Sequence, residues 1–208
     1  NAEYLAVLKQ LGDTVSGRIV KVSDGTVRGA WRGSSDHVLK KIGETLETLA
    51  ALKGLQRLKT PDGGIYVRIF TPKQKYRVGE NVDVSVESDR DGYLYVIDFQ
   101  PDGEVNILMP NSNVGNTFVS AFQRTRIPGS SMNFIATDPK GIDTLKVFVT
   151  TRPIDIMKLS GVVKSRGAVF AGVRGGGRAD FSRGIALHIQ HLKNSEWGEA
   201  SAELTIMK

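Results

Sequence analysis

Tyr76-Arg77-Val78-Gly79-Glu80-Asn81-Val82-Asp83-Val84-Ser85-Val86-Glu87 is the stretch that decides the fold. Val82, Val84 and Val86 alternate with Asp83, Ser85 and Glu87, which gives a strand one buried and one wet face. Gly79 permits a sharp bend into it. Asp91-Gly92 marks the next turn, and Tyr93 to Phe99 follows with apolar residues on both faces, the pattern of a central strand. Pro101-Asp102-Gly103 then turns the chain into Val105 to Met109, and these three runs read as a three-stranded meander.

Working outward, Ile65 to Phe70 supplies a strand before this unit, and Pro110-Asn111-Ser112-Asn113 a loop after it. Phe118 to Ile127, Met132 to Ala136, Leu145 to Thr150, Ile185 to Leu192 and Ser201 to Met207 read as further strands, with a looser region from Val162 to Arg183. Short strands separated by turn signals predict a mainly β fold, a sandwich or barrel, over residues 61–208.

Residues 1–60 read as a small α/β segment, a hairpin and an amphipathic helix that act as a connector. Tyr4, Leu5, Leu8 and Leu11 share a helical face, so Glu3 to Leu11 is expected to be a short helix ended by Gly12. Val15 to Val22 and Thr26 to Trp31 form a hairpin around Ser23-Asp24-Gly25. Ser34, Ser35 and Asp36 offer N-cap side chains to a helix from Asp36 to Leu52. Val38, Ile42, Leu46, Leu49 and Leu52 line one stripe, and Gly54 is the expected terminator.

The run from Tyr76 to Asn111 also carries a resemblance. Tyr-x-x-Gly-Glu, the alternating valines, Ser88-Asp89-Arg90-Asp91-Gly92-Tyr93-Leu94-Tyr95, Pro-Asp-Gly and Leu108-Met109-Pro110-Asn111 together resemble a bacterial family of domains of unknown function. Ile127-Pro128-Gly129, Asp138-Pro139-Lys140-Gly141 and Leu145 to Val149 continue the family's order. The resemblance implies an immunoglobulin-like antiparallel β-sandwich that is commonly exported or fused to other modules, caspase-like peptidases among them. The Leu49 to Leu58 run is similar to the connector that follows such a peptidase, which would make the chain its regulatory or targeting tail.

Charge is unevenly spread. Between Phe122 and Lys193 twelve Lys and Arg face four acids, so this half carries more than the whole chain's net +6. A basic half points either to an anionic partner or to a plain solvated surface. Gly172-Val173-Arg174-Gly175-Gly176-Gly177-Arg178 is its most unusual stretch, because bare amides between arginines suit an anion. It lacks the Gly-Lys-Ser/Thr of a phosphate loop, and a surface hairpin is the competing reading. Arg174, Arg178 and Arg183 are the candidate anion- or partner-binding residues.

Other chemistries find little support. Cysteine is absent, which removes disulfides, thiolate nucleophiles and Cys-bound zinc. His188 and His191 fall on opposite faces of the strand read there, so no metal site is expected. Asp89-x-Asp91-Gly92 resembles the start of a calcium loop, but Gln100 stands where the bidentate Glu belongs, and a turn fits better. No Gly-x-Ser-x-Gly elbow is present, so no catalytic residue and no cofactor are expected. Nucleic acid is disfavoured, and no run is long and apolar enough to span a membrane.

A chain beginning at Asn1 is expected to be a processed or excised product. Together with what the resemblance implies, the expectation is a non-catalytic accessory module of a bacterial exported or multidomain protein, in the periplasm or at the cell surface. Its expected partner is another protein or another domain of the same protein, with an anionic polymer or headgroup as the alternative.

Overall fold

The computed structural model describes residues 2–101, 103–129, 132–165, 168–174 and 177–208. Asp102 of the Pro-Asp-Gly turn, Gly175 and Gly176 of the glycine stretch, and Arg166 of the basic half lie outside the described residues.

The chain starts as strands β1 (Tyr4–Leu11), β2 (Thr14–Lys21) and β3 (Val27–Gly33), an antiparallel meander followed by helix α1 (Ser35–Arg57). The short helix expected at the start is therefore a strand. Leu11 pairs with Thr14 and Tyr4 with Lys21, so Gly12, at φ +60, makes a two-residue hairpin turn instead of a helix end. Ser34 caps α1 by accepting the His37 N–H at 3.4 Å. Gly54 does not end the helix. Leu55, three residues from Leu52 on the same side, is 1% exposed, and its burial carries the helix through the glycine to Arg57. The stripe turns as it goes: Val38 and Ile42 meet Ile19 of β2, Leu46 is left exposed, and Leu52 and Leu55 join a different core.

Then follow β4 (Val67–Phe70), β5 (Lys75–Arg77), β6 (Asn81–Val82), β7 (Val84–Ser88), β8 (Gly92–Phe99), β9 (Val105–Met109), β10 (Phe118–Val119), β11 (Thr125–Ile127), β12 (Phe134–Ile135) and β13 (Gly141–Thr150). The chain closes with β14 (Val162–Val163), β15 (Ala171–Val173), helix α2 (Gly177–Gln190) and β16 (Trp197–Met207). The central sheet has the order β14-β15-β9-β8-β13-β16-β5, with β10 beside the start of β8. It is antiparallel except where β5 joins β16. A second layer pairs β7 with β4 and β11, and β6 with β12. The mainly β sandwich is thus present, and β8 is central and buried on both sides, as its two apolar faces required.

The expected meander is not. β7 and β8 lie in opposite sheets, and only β8 and β9 form a hairpin. Ser88-Asp89-Arg90-Asp91-Gly92 is the crossover between layers, and its polar groups secure it. Asp89 accepts the Tyr66 N–H at 2.8 Å and Asp91 the Ala121 N–H at 2.7 Å. Arg90 donates to the Ser195 carbonyl at 2.9 Å. A Cβ on Gly92 would lie 2.8 Å from the Thr150 carbonyl oxygen, so glycine is needed where the chain enters the central sheet.

Between the layers, Val82, Val84 and Val86 meet Leu94 and Val96 of β8, Leu145, Val147 and Val149 of β13, and Leu204 and Ile206 of β16. Each fully buried aliphatic side chain contributes roughly 1.5–3 kcal/mol. The other face of the central sheet, with Tyr95, Ile97, Phe99 and Phe148, is covered by helices. Here the final-strand reading of Ile185 to Leu192 fails. Phe181, Ile185 and Ile189 are spaced at four and are 0–2% exposed, whereas Leu187 is 55% exposed. The helical period was masked by Gly184 and the glycine stretch, which left only the local alternation Ile185-x-Leu187-x-Ile189 to read. The result is three layers, with α1 and α2 packed on the sheet's second face.

Lys146 sits at the joint. It is on β13 with its side chain 0% exposed, and Nζ donates to Glu199 of β16, to Ser201 Oγ at 3.1 Å and to the carbonyls of Gln56 and Leu58 at 3.3 and 3.0 Å. Those carbonyls close α1, so the lysine caps the negative end of that helix from within the sheet. Burial pulls its ammonium below the ordinary lysine value, against the opposing pull of Glu199. Lys146→Ala is expected to destabilise the fold by roughly 3–5 kcal/mol in urea unfolding, because it removes the buried partner of Glu199 and leaves that carboxylate the exposed Lys59 as its cation. The double change Lys146→Met with Glu199→Leu removes the poorly compensated carboxylate but leaves the Gln56 and Leu58 carbonyls without their donor, so it should recover part of that loss; equal damage in the double variant would contradict this role.

Candidate functional site

One end of the central sheet opens into a cleft of about 510 Å³. Tyr93 and Tyr95 of β8 form its floor. Pro110 and Asn116 come from the loop after β9, Ile154 from the segment after β13, and Lys164 from the segment after β14. These segments meet there because β9, β8 and β13 are neighbours in the sheet and their connections leave at the same end.

The walls are held by side chains acting on backbone. Asn111, 8% exposed, donates through Nδ2 to the carbonyls of Leu108 and Pro128, both at 2.9 Å, while Oδ1 accepts from Asn113 and Val114 at 3.0 and 2.9 Å. All four of its hydrogen-bonding positions are thereby used, three at its own loop and one on the segment after β11. Ser112 fastens that loop to the Val169 carbonyl through both its N–H, at 3.0 Å, and its hydroxyl, at 3.2 Å. Tyr93 is half-buried and meets Phe118 edge-to-face at 5.7 Å. Tyr95 is 3% exposed, and its hydroxyl accepts the Ile154 N–H at 2.6 Å.

The titratable groups here sit in different settings. Burial pushes the Tyr95 phenol above its ordinary value, so it stays protonated. Asp155 is engaged by Lys158 at 2.7 Å on the exposed rim. Lys164 is exposed.

The three arginines expected to bind an anion or partner lie elsewhere and are separately occupied. Arg174 donates to Ser165 Oγ at 3.2 Å. Arg178, in the first turn of α2, pairs with Glu104 and donates to the Val173 carbonyl at 3.0 Å. Arg183 pairs with Asp180 at 3.1 Å. No two of them share a partner among the described residues. The same holds for much of the basic half: Arg126, Lys140, Lys146, Arg152 and Lys158 are also in ion pairs. Four of the acids that engage this half, Asp83, Glu104, Glu196 and Glu199, come from outside it, so a lopsided sequence folds into a locally balanced surface.

The histidines change setting with α2. His188 is on the helix, and His191 follows it with Nδ1 2.8 Å from the Leu187 carbonyl. Among the described residues no group of three His, Asp or Glu is placed to hold a metal. Sequence reasoning placed Tyr93 and Tyr95 on a strand and Pro110-Asn111 in a loop without assigning any of them to a site, and it did not single out Asn116, Ile154 or Lys164. These last three carry no motif and matter only because the strand order gathers them.

Tyr95→Phe should cost roughly 1–2 kcal/mol near neutral pH by leaving the Ile154 N–H unpaired. The folded-state phenol titrates above its ordinary value of about 10. Its contribution is therefore complete below that pH and is lost as pH rises through the raised value. Urea unfolding at pH 7 and about pH 11 is expected to show the gap between wild type and variant narrowing at the higher pH. A gap that widens would contradict the assignment.

Comparison with known proteins adds one match. Residues 75–153 fit the sequence profile of a family described as a domain of unknown function (DUF4384). No curated protein and no solved structure matches the chain. The matched segment runs from the start of β5 to Pro153, just past β13. It therefore holds the alternating valines, the crossover, the Asn111 loop and both cleft tyrosines. Over residues 75–153 the chain is thus similar to this domain of unknown function.

Proposed function

We propose that the chain is a non-catalytic accessory module that receives a segment of another protein, or of another domain of its own protein, in the Tyr93–Tyr95 cleft. The observation that carries this reading is the lining itself. Tyrosine, proline and isoleucine surfaces alternate with the side-chain amide of Asn116 and the hydroxyls of Ser112 and Thr117. That mixture suits a polypeptide, whose side chains need apolar contact and whose amides need partners. The volume accommodates a few residues of such a segment. The occupied state of Tyr95 and Asp155 favours binding over chemistry.

Within this reading the module serves an exported or multidomain bacterial protein, in the periplasm or at the cell surface. An anionic ligand on the basic half is the competing reading, and the ion pairs of Arg178 and Arg183 weaken it.

Capture experiments with the purified chain at low and high salt separate the two. Retention of a partner at high salt, with at least a tenfold loss for Tyr93→Ala and none for Arg174→Ala with Arg178→Ala, is expected. Urea unfolding of Tyr93→Ala checks that the fold survives. Capture that disappears with salt and with the arginine pair, yet ignores Tyr93, would replace this reading with the anionic one.

A further inference from the structure

The outer face of the second layer holds a feature unconnected with the cleft. On β4 Val67 and Ile69 point into the sandwich, while Tyr66, just ahead of the strand, Arg68 and Phe70 point out. On β7 Ser85 and Glu87 point out, with Ser85 opposite both Phe70 and Arg126. The Arg68 guanidinium lies 5.9 Å from the Tyr66 ring centre and 5.5 Å from that of Phe70. From the other edge Arg124 reaches over to stack on Phe70 at 3.8 Å. The small side chain of Ser85 leaves room for that reach. Rings and guanidinium groups thus alternate across an exposed sheet face.

Charge on this face is matched except at one place. Arg68 pairs with Glu87, and Arg126 with Asp83 at 2.9 Å. The Arg124 guanidinium has no ion pair or hydrogen bond among the described residues, although stacking fixes its plane. A stacked guanidinium keeps its edge free to donate two parallel bonds to a carboxylate. Beside it the chain holds an aromatic ring in solvent at some cost. Phe122 is 73% exposed and has φ 60, a left-handed backbone uncommon for a bulky residue. Its N–H donates to the Ser88 carbonyl at 2.7 Å, which fixes that conformation against β7. Tyr66, at 61% exposed, offers a second ring on the opposite edge.

We propose that this face docks a polypeptide segment bearing one carboxylate between apolar side chains, the carboxylate on Arg124 and the apolar groups against Phe122 and Tyr66. One unmatched guanidinium decides against a nucleic acid or other polyanion, whose binding draws on many neutralised charges. It is the complement of a single carboxylate, and the exposed rings supply the apolar contact that a peptide can use.

The test is NMR titration of the ¹⁵N-labelled chain with acetyl-Leu-Glu-Leu-amide and, separately, acetyl-Leu-Gln-Leu-amide. The glutamate peptide is expected to give saturable shifts in the Arg124 side-chain Nε–H and in the amides of 66–70 and 122–126. The glutamine peptide should bind about fivefold more weakly or worse, the weight of a charge-assisted pair. Arg124→Lys keeps the charge but loses the stack and the fork, and should weaken the glutamate peptide by a similar factor, with shifts elsewhere unchanged to show an intact fold. Equal binding of both peptides, indifference to Arg124→Lys, absence of saturable shifts, or tighter binding of a dodecathymidylate probe would each overturn the proposal.

Discussion

A lysine ammonium buried between a sheet and the end of a helix sets the terms for the rest of the architecture. Lys146 could not remain there alone, since an unpaired buried charge costs several kcal/mol. Glu199 from the neighbouring strand, Ser201 and two carbonyls at the end of α1 surround it. Lys59 reaches the other oxygen of Glu199 at 3.4 Å. The arrangement fixes where α1 ends, which face of β13 turns toward the helices, and how β16 lies beside it. An apolar pair could fill the same space, but it would not satisfy the helix end. Only a donor can do that, and the lysine is the donor that the sheet provides.

From this joint the two cores follow. Residues of β8 and β13 alternate strictly, so Leu94, Val96, Leu145 and Val147 serve the sandwich while Tyr95, Ile97 and Phe148 serve the helical face. α1 is shared along its length: Val38 and Ile42 belong with the first meander, Leu52 and Leu55 with α2 and the central sheet. The cleft opens where β8 and its neighbours end, and rigid strands position its floor. Residues within the matched segment serve largely as scaffold here. Asp89, Asp91 and Gly92 carry the chain from one layer to the other, and Asn111 spends its hydrogen bonds on its own loop and on the Pro128 carbonyl after β11.

How much of this was legible in the sequence depends on the range of the signal. Period-two alternation at Val82, Val84 and Val86, and the doubly apolar run of β8, are local and were readable. Tyr4 to Leu11 was misread because its apolar spacing suits a helix and only pairing with β2 makes it a strand. Ile185 to Leu192 was misread in the opposite sense, from a window too short to include Phe181. The β7 to β8 connection looked like a hairpin turn, because Asp-Gly serves tight turns and crossovers alike. The cleft was not legible: its tyrosines read as strand and its Pro-Asn run as loop, and only the strand order brings them together. Net charge was the least transferable signal: the basic half is real in composition, but folding brings acids from elsewhere to meet it. Lys146 was counted with surface cations, and nothing local distinguishes it from them.

The central claim is that the helical layer and the sandwich form one cooperative unit, joined through Lys146 and the second half of α1. Native-state hydrogen exchange measures this directly, residue by residue. Amides of residues 50–57 are expected to open with the same free energy as those at the centre of β13 and β16. Exchange of 50–57 at a clearly lower free energy, while β13 and β16 remain protected, would contradict the claim and make α1 an appendage to a sandwich that stands without it.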